Sequence, residues 1–284
     1  MGNQKIVIVT DSSAFIPETA MEGLDITVIP LWLLWEGNRF RDGVDIRPHA
    51  FYQRLKSSST MPTSSQPSAK EFEEFFRQVA QGCDAIVSVL VSSKISGTVA
   101  CAQAALKEFT NFPIRIIDSL HGSMGVGLAV LAAARAAAKG ASIDEVVSVA
   151  KDICAKAELL FVVDTLEYLH RGGRIGTARR YLASLLSIKP ILQLKDGIIG
   201  PVSQARTKKK AIALLLDLVK DRLGGKGMGE IAVVDIDCAD EGDALADIVK
   251  ARFAPSSVLR AEVSPVVGTH VGPGGLGIAF YPVG

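Results

Sequence analysis

The chain has 284 residues, 48% of them hydrophobic and 21% charged, a balance that excludes extensive disorder and, at roughly 150 residues per domain, points to two domains. Aromatic residues make up only 6%, so aliphatic side chains and Ala must fill the core, which suits a buried, largely parallel sheet under Ala-rich helices. Net charge is +1, yet the stretch from His170 to Lys210 carries +9 and the remainder −8.

Residues 5–10 (KIVIVT) form a short β-branched run that reads as a buried strand, and Asp11-Ser12-Ser13 ends it. Small polar residues at the C-terminal end of such a strand sit where open α/β sheets bind ligands. Ile26–Leu34 reads as a second strand, and Asp42-Gly43 as a hairpin tip in the turn-rich stretch 36–48. Ser57–Ser68 is a hydroxyl-rich loop, and Ser68 with Glu71 forms a capping box for an amphipathic helix over 69–81. Strand 84–91, helix 98–109, strand 114–118 and helix 123–139 then repeat a βα pattern.

Past Gly140 the pattern changes. Helix 142–157, strand 158–164, a Gly-rich basic segment and helix 177–187 lead to a hairpin, 189–195 with 198–206, turned at Asp196-Gly197. Helix 207–223, strand 230–236, helix 240–253 and strands 257–267 and 276–281 follow. The expected architecture is therefore α/β: an N-terminal parallel-sheet domain over 1–150 and a smaller mixed α+β domain over 151–284.

Several chemistries are excluded by spacing. GxGxxG occurs at 272–277, but only seven residues follow and they read as a strand, so no helix can receive a pyrophosphate. Gly224-Gly225-Lys226-Gly227 lacks the spacing of a phosphate loop, and the four His residues, at 49, 121, 170 and 270, fit no metal motif, so no metal or cofactor is expected. His121-Gly122-Ser123-Met124-Gly125 nearly spells a hydrolase elbow but lacks its first Gly, and Ser123 reads as a helix cap. Cys83, Cys101, Cys154 and Cys238 form no CxxC pair and read as reduced thiols. The apolar runs 6–9 and 126–134 are too short for a signal peptide and a membrane span, so a cytoplasmic protein is expected. The basic stretch implies an anionic partner, or charges that scatter once the chain folds. Nucleic acid is disfavoured, because aromatic interleaving and any recognised motif are missing.

Six ordered segments together resemble the DegV family of bacterial fatty-acid-binding proteins: IVTDSSAFIP, PTSSQPS, SKISGT, DTLEYLHRGGRIG, LLSIKPIL and GTHVGPGGLGI. The resemblance covers almost the whole chain. It implies a long-chain fatty acid such as palmitate or oleate held between two α/β domains. It further implies presentation of that acid to a separate ATP-dependent fatty acid kinase, whose acyl phosphate enters phospholipid synthesis, so the protein itself is expected to have no catalytic residue. The family's carboxylate-binding Thr of TSQPS falls on Ser64, with Thr63 beside it. Ser96 and Gly97 match the family's SGT segment, and its Arg after the hairpin and His of GTH fall on Arg206 and His270.

The carboxylate is thus expected to meet Thr63, Ser64, Ser96, Gly97, Arg206 and His270. Arg171 and Arg174, in the basic stretch, are expected to dock on the kinase or on an anionic membrane surface, and a monomer is expected. A serine-dependent hydrolase or acyltransferase using Ser64 or Ser96 with His270 is the competing reading.

Overall fold

A computed structural model describes residues 4–184 and 188–283. In chain order its elements are β1 (Ile6–Asp11), α1 (Glu18–Met21), β2 (Ile26–Ile29), β3 (Trp32–Trp35), β4 (Asn38–Arg41), α2 (Pro48–Ser57), β5 (Thr63–Ser65), α3 (Ala69–Ala80), β6 (Ala85–Leu90), α4 (Thr98–Ala105), β7 (Ile114–Asp118) and α5 (Met124–Ala138). They continue with α6 (Ile143–Lys156), β8 (Glu158–Val162), α7 (Glu167–Arg171), β9 (Lys189–Lys195), β10 (Ile198–Ala205), α8 (Lys208–Leu223), β11 (Gly227–Asp235), α9 (Ala239–Phe253), β12 (Ser257–Glu262), α10 (Pro265–Val271) and β13 (Leu276–Val283).

Strands β1 and β6 are buried at every position, as expected for central strands covered on both faces. They form the middle of an all-parallel sheet ordered β2-β1-β6-β7. A second sheet, ordered β10-β9-β8-β13-β11-β12, is antiparallel except for the β11–β12 pair. A small antiparallel sheet, β4-β3-β5, lies beside the first. The architecture is the mixed α/β one expected, with two domains.

Between the two large sheets runs α5. It contacts β1 and β6 on one side and β8, β11 and β13 on the other, and only five of its fifteen residues escape full burial. A methyl group added at Gly127 would lie 2.8 Å from the sulfur of Met124, one turn earlier in the same helix, and 3.2 Å from Ile16. At its C-terminal end Arg135 makes a bidentate pair with Glu230 of β11. Strand β8 shows how the layers divide: Leu159 and Phe161 face the α5 layer, whereas Leu160 and Val162 face the outer core under α8 and α9.

The capping box holds as expected, with Ser68 Oγ accepting from the Glu71 amide and Glu71 accepting from the Ser68 amide. The hairpin at Asp196-Gly197 also forms, with φ of 52° and 80° at the two turn residues.

Other expectations are corrected. Ile26–Leu34 is two strands, because Pro30 has no N–H for a ladder and the chain leaves the parallel sheet there for the small one. The hairpin tip is Glu36-Gly37, with φ of 51° and 77°, and not Asp42-Gly43; Asp42 is buried and holds other segments together. The strand expected over 257–267 stops at Glu262, and α10 follows, started by Ser264, whose Oγ accepts from the Val267 amide, and by Pro265 at its first position. Ser123 caps nothing: it stands before α5 with φ 50° and ψ −142° and makes no side-chain cap bond. The helix expected over 177–187 is a 3-10 helix, Gly176–Ser184; residues 185–187, including the start of LLSIKPIL, lie outside the described residues.

Because one helix serves both sheets, the two cores should melt together. Leu128 of α5 is fully buried. Leu128→Ala should cost about 2–5 kcal/mol. Far-UV circular dichroism, which sees the whole chain, and fluorescence of Trp32 and Trp35, which sees the small sheet, should report one coincident transition. A two-step circular dichroism transition, with the tryptophan signal following only one of the steps, would show that α5 does not couple the large sheets.

Candidate functional site

The polar end of the site is built at the C-terminal ends of β1 and β6. Their chain order reverses there, with β2 on one side of β1 and β7 on the far side of β6, the position where parallel α/β sheets open a crevice. Asp11 joins the two strand ends: its carboxyl accepts from the Ser13 amide at 3.0 Å and from the Val91 amide at 2.8 Å. Burial pushes its pKa up. Ser12 Oγ donates to Asp42 at 2.6 Å and accepts from the Leu31 amide at 3.0 Å. Asp42 in turn accepts from the Val266 amide at 3.1 Å, fastening the first turn of α10.

Helix α10 delivers His270. Its Nε2 lies 2.7 Å from Ser64 Oγ, which β5 points inward while the neighbouring Thr63 is exposed, as strand alternation requires. Burial, and then the nearby positive charge of Arg174, push the His270 pKa down to about 4, so the ring is neutral near pH 7. Its Nδ1 is buried, has no hydrogen-bond partner among the described residues and packs against Gly172, where even a methyl group would collide. An orphaned acceptor costs less than an orphaned N–H, so the ring proton belongs on Nε2. His270 then donates to Ser64, and the Ser64 hydroxyl proton is left free.

Arg174 is the cation of this region. Its Nε donates to the Ile95 carbonyl at 3.1 Å and its Nη1 to the Gly172 carbonyl at 2.7 Å. Ser96 accepts from the Thr98 amide and exchanges a hydrogen bond with the Thr98 hydroxyl at 2.7 Å. Ser13, Ser64, Ser96, Arg174 and His270 line one cavity of about 90 Å³. An apolar cavity of about 90 Å³ adjoins it, sharing Val91, Ile95, Ile199, Val267 and Val271 and continuing between the sheets to Leu159, Phe161, Leu194 and Val234. Outside the polar end, a cleft of about 430 Å³ is lined by Lys94, Ser96, Gly97 and Arg174. A larger cleft of about 620 Å³ lies between the turn after β1 and β12 and contains none of the candidate head-group residues.

The sequence-selected residues therefore separate. Ser64, Ser96 and His270 share the polar cavity, and Gly97 lies in the cleft at its mouth. Thr63 and Arg206 are exposed and line neither. Arg174, assigned to docking, instead turns inward, while Arg171 is exposed and pairs with Glu167 at 2.7 Å. The basic stretch is partly neutralised, since Lys189 and Lys208 also hold acids, Asp164 and Glu241. Sequence reasoning passed over Ser13 and Gln66, both in the polar cavity. The available signal for Ser13 was its place in the Asp11-Ser12-Ser13 strand end.

Residues 5–283 match a family described as "Uncharacterised protein, DegV family". A DegV domain-containing protein of Streptomyces coelicolor is 39% identical over 278 residues, covering 97% of this chain and 98% of that protein. A DegV-family protein of Thermus thermophilus, described as binding fatty acid, superposes with a TM-score of 0.92 at 31% identity, covering 98% of this chain and 100% of that one. DegV of Bacillus subtilis, described as a fatty acid binding protein, gives 0.89 at 30% identity, with 99% and 100% coverage.

The neutral His270 makes stability depend on pH. The unfolded ring titrates near 6.5 and the folded one at about 4, so the unfolded state binds more protons between them and stability falls as pH drops through that window. Asp42, pushed up to about 7 from 3.8 by burial, acts oppositely: the folded state keeps the proton, and stability falls as pH rises through its window. The His270 share is isolated by comparing denaturant unfolding of the parent and His270→Gln at pH 4.5 and 7. The parent should lose about 2 kcal/mol more than the variant on acidification; equal losses would place a proton on the folded ring.

Proposed function

The chain belongs to the DegV family, and on that premise we propose that it binds a long-chain fatty acid, head group at the polar cavity and tail along the apolar one. The continuity of those two cavities is the observation that carries this reading. A tail of about 15 methylenes at ~0.8 kcal/mol each would supply on the order of 10 kcal/mol before ordering costs when fully buried; the apolar cavity, at about 90 Å³, takes in only part of it. An unpaired buried carboxylate would erase that gain, since isolated charge burial costs tens of kcal/mol in the idealised limit. Ser64 and Ser96 hydroxyls and the Arg174 guanidinium answer this need; neutral His270 contributes through Ser64 and adds no charge of its own. The fatty-acid binding described for the Thermus and Bacillus proteins supports the same reading.

In this reading the bound acid is presented to a separate fatty acid kinase in the cytoplasm, with transient contact to anionic membrane. The open cleft beside Ser96 and Arg174 gives a phosphoryl donor a route to the head group. Among the described residues, no helix is long and apolar enough to cross a membrane. Arg171, exposed on α7, remains the candidate docking residue; Arg174 moves to the ligand.

The 2.7 Å contact of Ser64 with His270 favours a second reading, a serine hydrolase or acyltransferase. Against it, a ring with a pKa of about 4 is a weak base near neutrality, and its Nδ1 has no carboxylate to orient it.

Native mass spectrometry of the purified protein, followed by lipid extraction, should show one fatty acid per chain. Arg174→Ala should weaken palmitate binding at least tenfold, the loss of a charge-assisted bond. Arg171→Glu should leave affinity unchanged while slowing acyl-phosphate formation with a kinase. An empty chain that refuses palmitate and oleate would sink the proposal, and ester hydrolysis lost in His270→Ala would favour the second reading.

A further inference from the structure

Ser12 and Ser13 are neighbours in one turn, both buried, yet they are used differently. The Ser12 hydroxyl is satisfied twice, by Asp42 and by the Leu31 amide. The Ser13 hydroxyl is buried, lines the polar cavity and makes no hydrogen bond of good geometry among the described residues. The nearest carboxyl in the turn is that of Asp11, which accepts from the Ser13 and Val91 amides; the Ser13 hydroxyl lies close enough to lower its pKa, but no bond of good geometry joins the two. A buried hydroxyl left unsatisfied costs about 1–3 kcal/mol, and native structures retain few such groups without a use. The turn that carries it sits at the crevice between β1 and β6 and is tied to the first turn of α10 through Ser12 and Asp42.

We propose that Ser13 is a further head-group ligand, its hydroxyl donating to the carboxylate of the bound fatty acid. The assignment rests on the fatty-acid reading and deepens it. A carboxylate offers about four lone-pair sites. Ser64, freed by the proton on His270 Nε2, supplies one donor; Ser96, with the Thr98 hydroxyl as donor in their 2.7 Å bond, supplies a second; the Arg174 guanidinium supplies a third. Ser13 completes the set from the parallel-sheet side, so the head group is held by the turn after β1, β5, the loop after β6 and the segment after α7 together. Each of these donors is anchored by its own element, which orients the carboxylate before any partner meets it.

The test is binding of palmitate labelled with ¹³C at the carboxyl to the full chain, its Ser13→Ala variant and its Ser12→Ala variant. Ser13→Ala should weaken affinity about tenfold, as for a hydrogen bond to a charged group. It should also move the carboxyl ¹³C resonance and leave the melting temperature at or above that of the parent, because an unsatisfied hydroxyl is gone. Ser12→Ala should instead lower the melting temperature, since it strips a bond from Asp42 and from Leu31. Unchanged affinity and resonance in Ser13→Ala, or a loss of stability matching that of Ser12→Ala, would overturn the assignment. Should Ser13→Ala fail to fold, Ser13→Cys, with its weak donor, carries the same readout: a moved resonance supports the assignment and an unmoved one overturns it. A parent chain that does not bind palmitate overturns the fatty-acid reading itself, which is distinguishable from failure of Ser13 alone.

Discussion

A helix that is apolar on every side is stable in water only when something covers each side, and α5 is such a helix. That constraint organises the molecule. The parallel sheet covers one face and the antiparallel sheet the other, so the two domains share a core that runs from Ile8 and Val87 through Leu128 and Leu131 to Phe161 and Val234. Neither sheet could retain its inner face if α5 withdrew. The Arg135–Glu230 pair at one end of the helix fixes how the second sheet lies against it. At the other end the chain arrives through a strained loop, with positive φ at Leu120 and Ser123. The apolar cavity begins beside that end, where Gly122 and Ser123 form part of its wall and the space between the sheets is no longer filled by helix.

The polar end of the cavity shows a division of labour among similar groups. Asp11, Ser12 and Asp42 face inward and are spent on structure: together they tie β1 to β6, to Leu31 and to the first turn of α10. Ser13, Ser64 and Ser96 carry hydroxyls toward the cavity itself. His270 is kept neutral by burial and by Arg174, so the site holds a single guanidinium in place of two competing cations. One positive charge with several neutral donors suits a monoanionic head group, because it limits the charge left uncompensated when the cavity is empty.

Local features were legible in the sequence. The Ser68–Glu71 capping box and the Asp196-Gly197 turn depend on residues within a few positions of one another, and both formed as read. The division of Ile26–Leu34 was carried by Pro30 but overridden by the run of apolar residues around it. Helix α10 was signalled by Ser264 and Pro265, yet Val266 and Val267 gave the segment a strand-like composition. Ser64, Ser96 and His270 were selected from motif resemblance, and they meet although 206 residues separate Ser64 from His270. Arg174, expected at a docking surface, lines the polar cavity, and Arg206, expected at the carboxylate, is exposed; both sit in one basic stretch, and composition says nothing about which guanidinium turns inward.

By itself, then, the sequence determined the α/β class, most of the longer strands and helices, the Ser68–Glu71 capping box, the Asp196-Gly197 turn, and the hydroxyl-bearing segments from which the site is drawn. Those properties follow from backbone preference and hydrophobic period, which act over a few residues. Tertiary structure alone decided that α5 would serve two sheets, that His270 would be neutral, that Arg174 would be the inward cation, and that the Ser13 hydroxyl would line the cavity while that of Ser12 was spent on Asp42 and Leu31. Burial, pKa and hydrogen-bond satisfaction depend on atoms brought from distant parts of the chain, and no local pattern encodes which of two adjacent hydroxyls those atoms will reach.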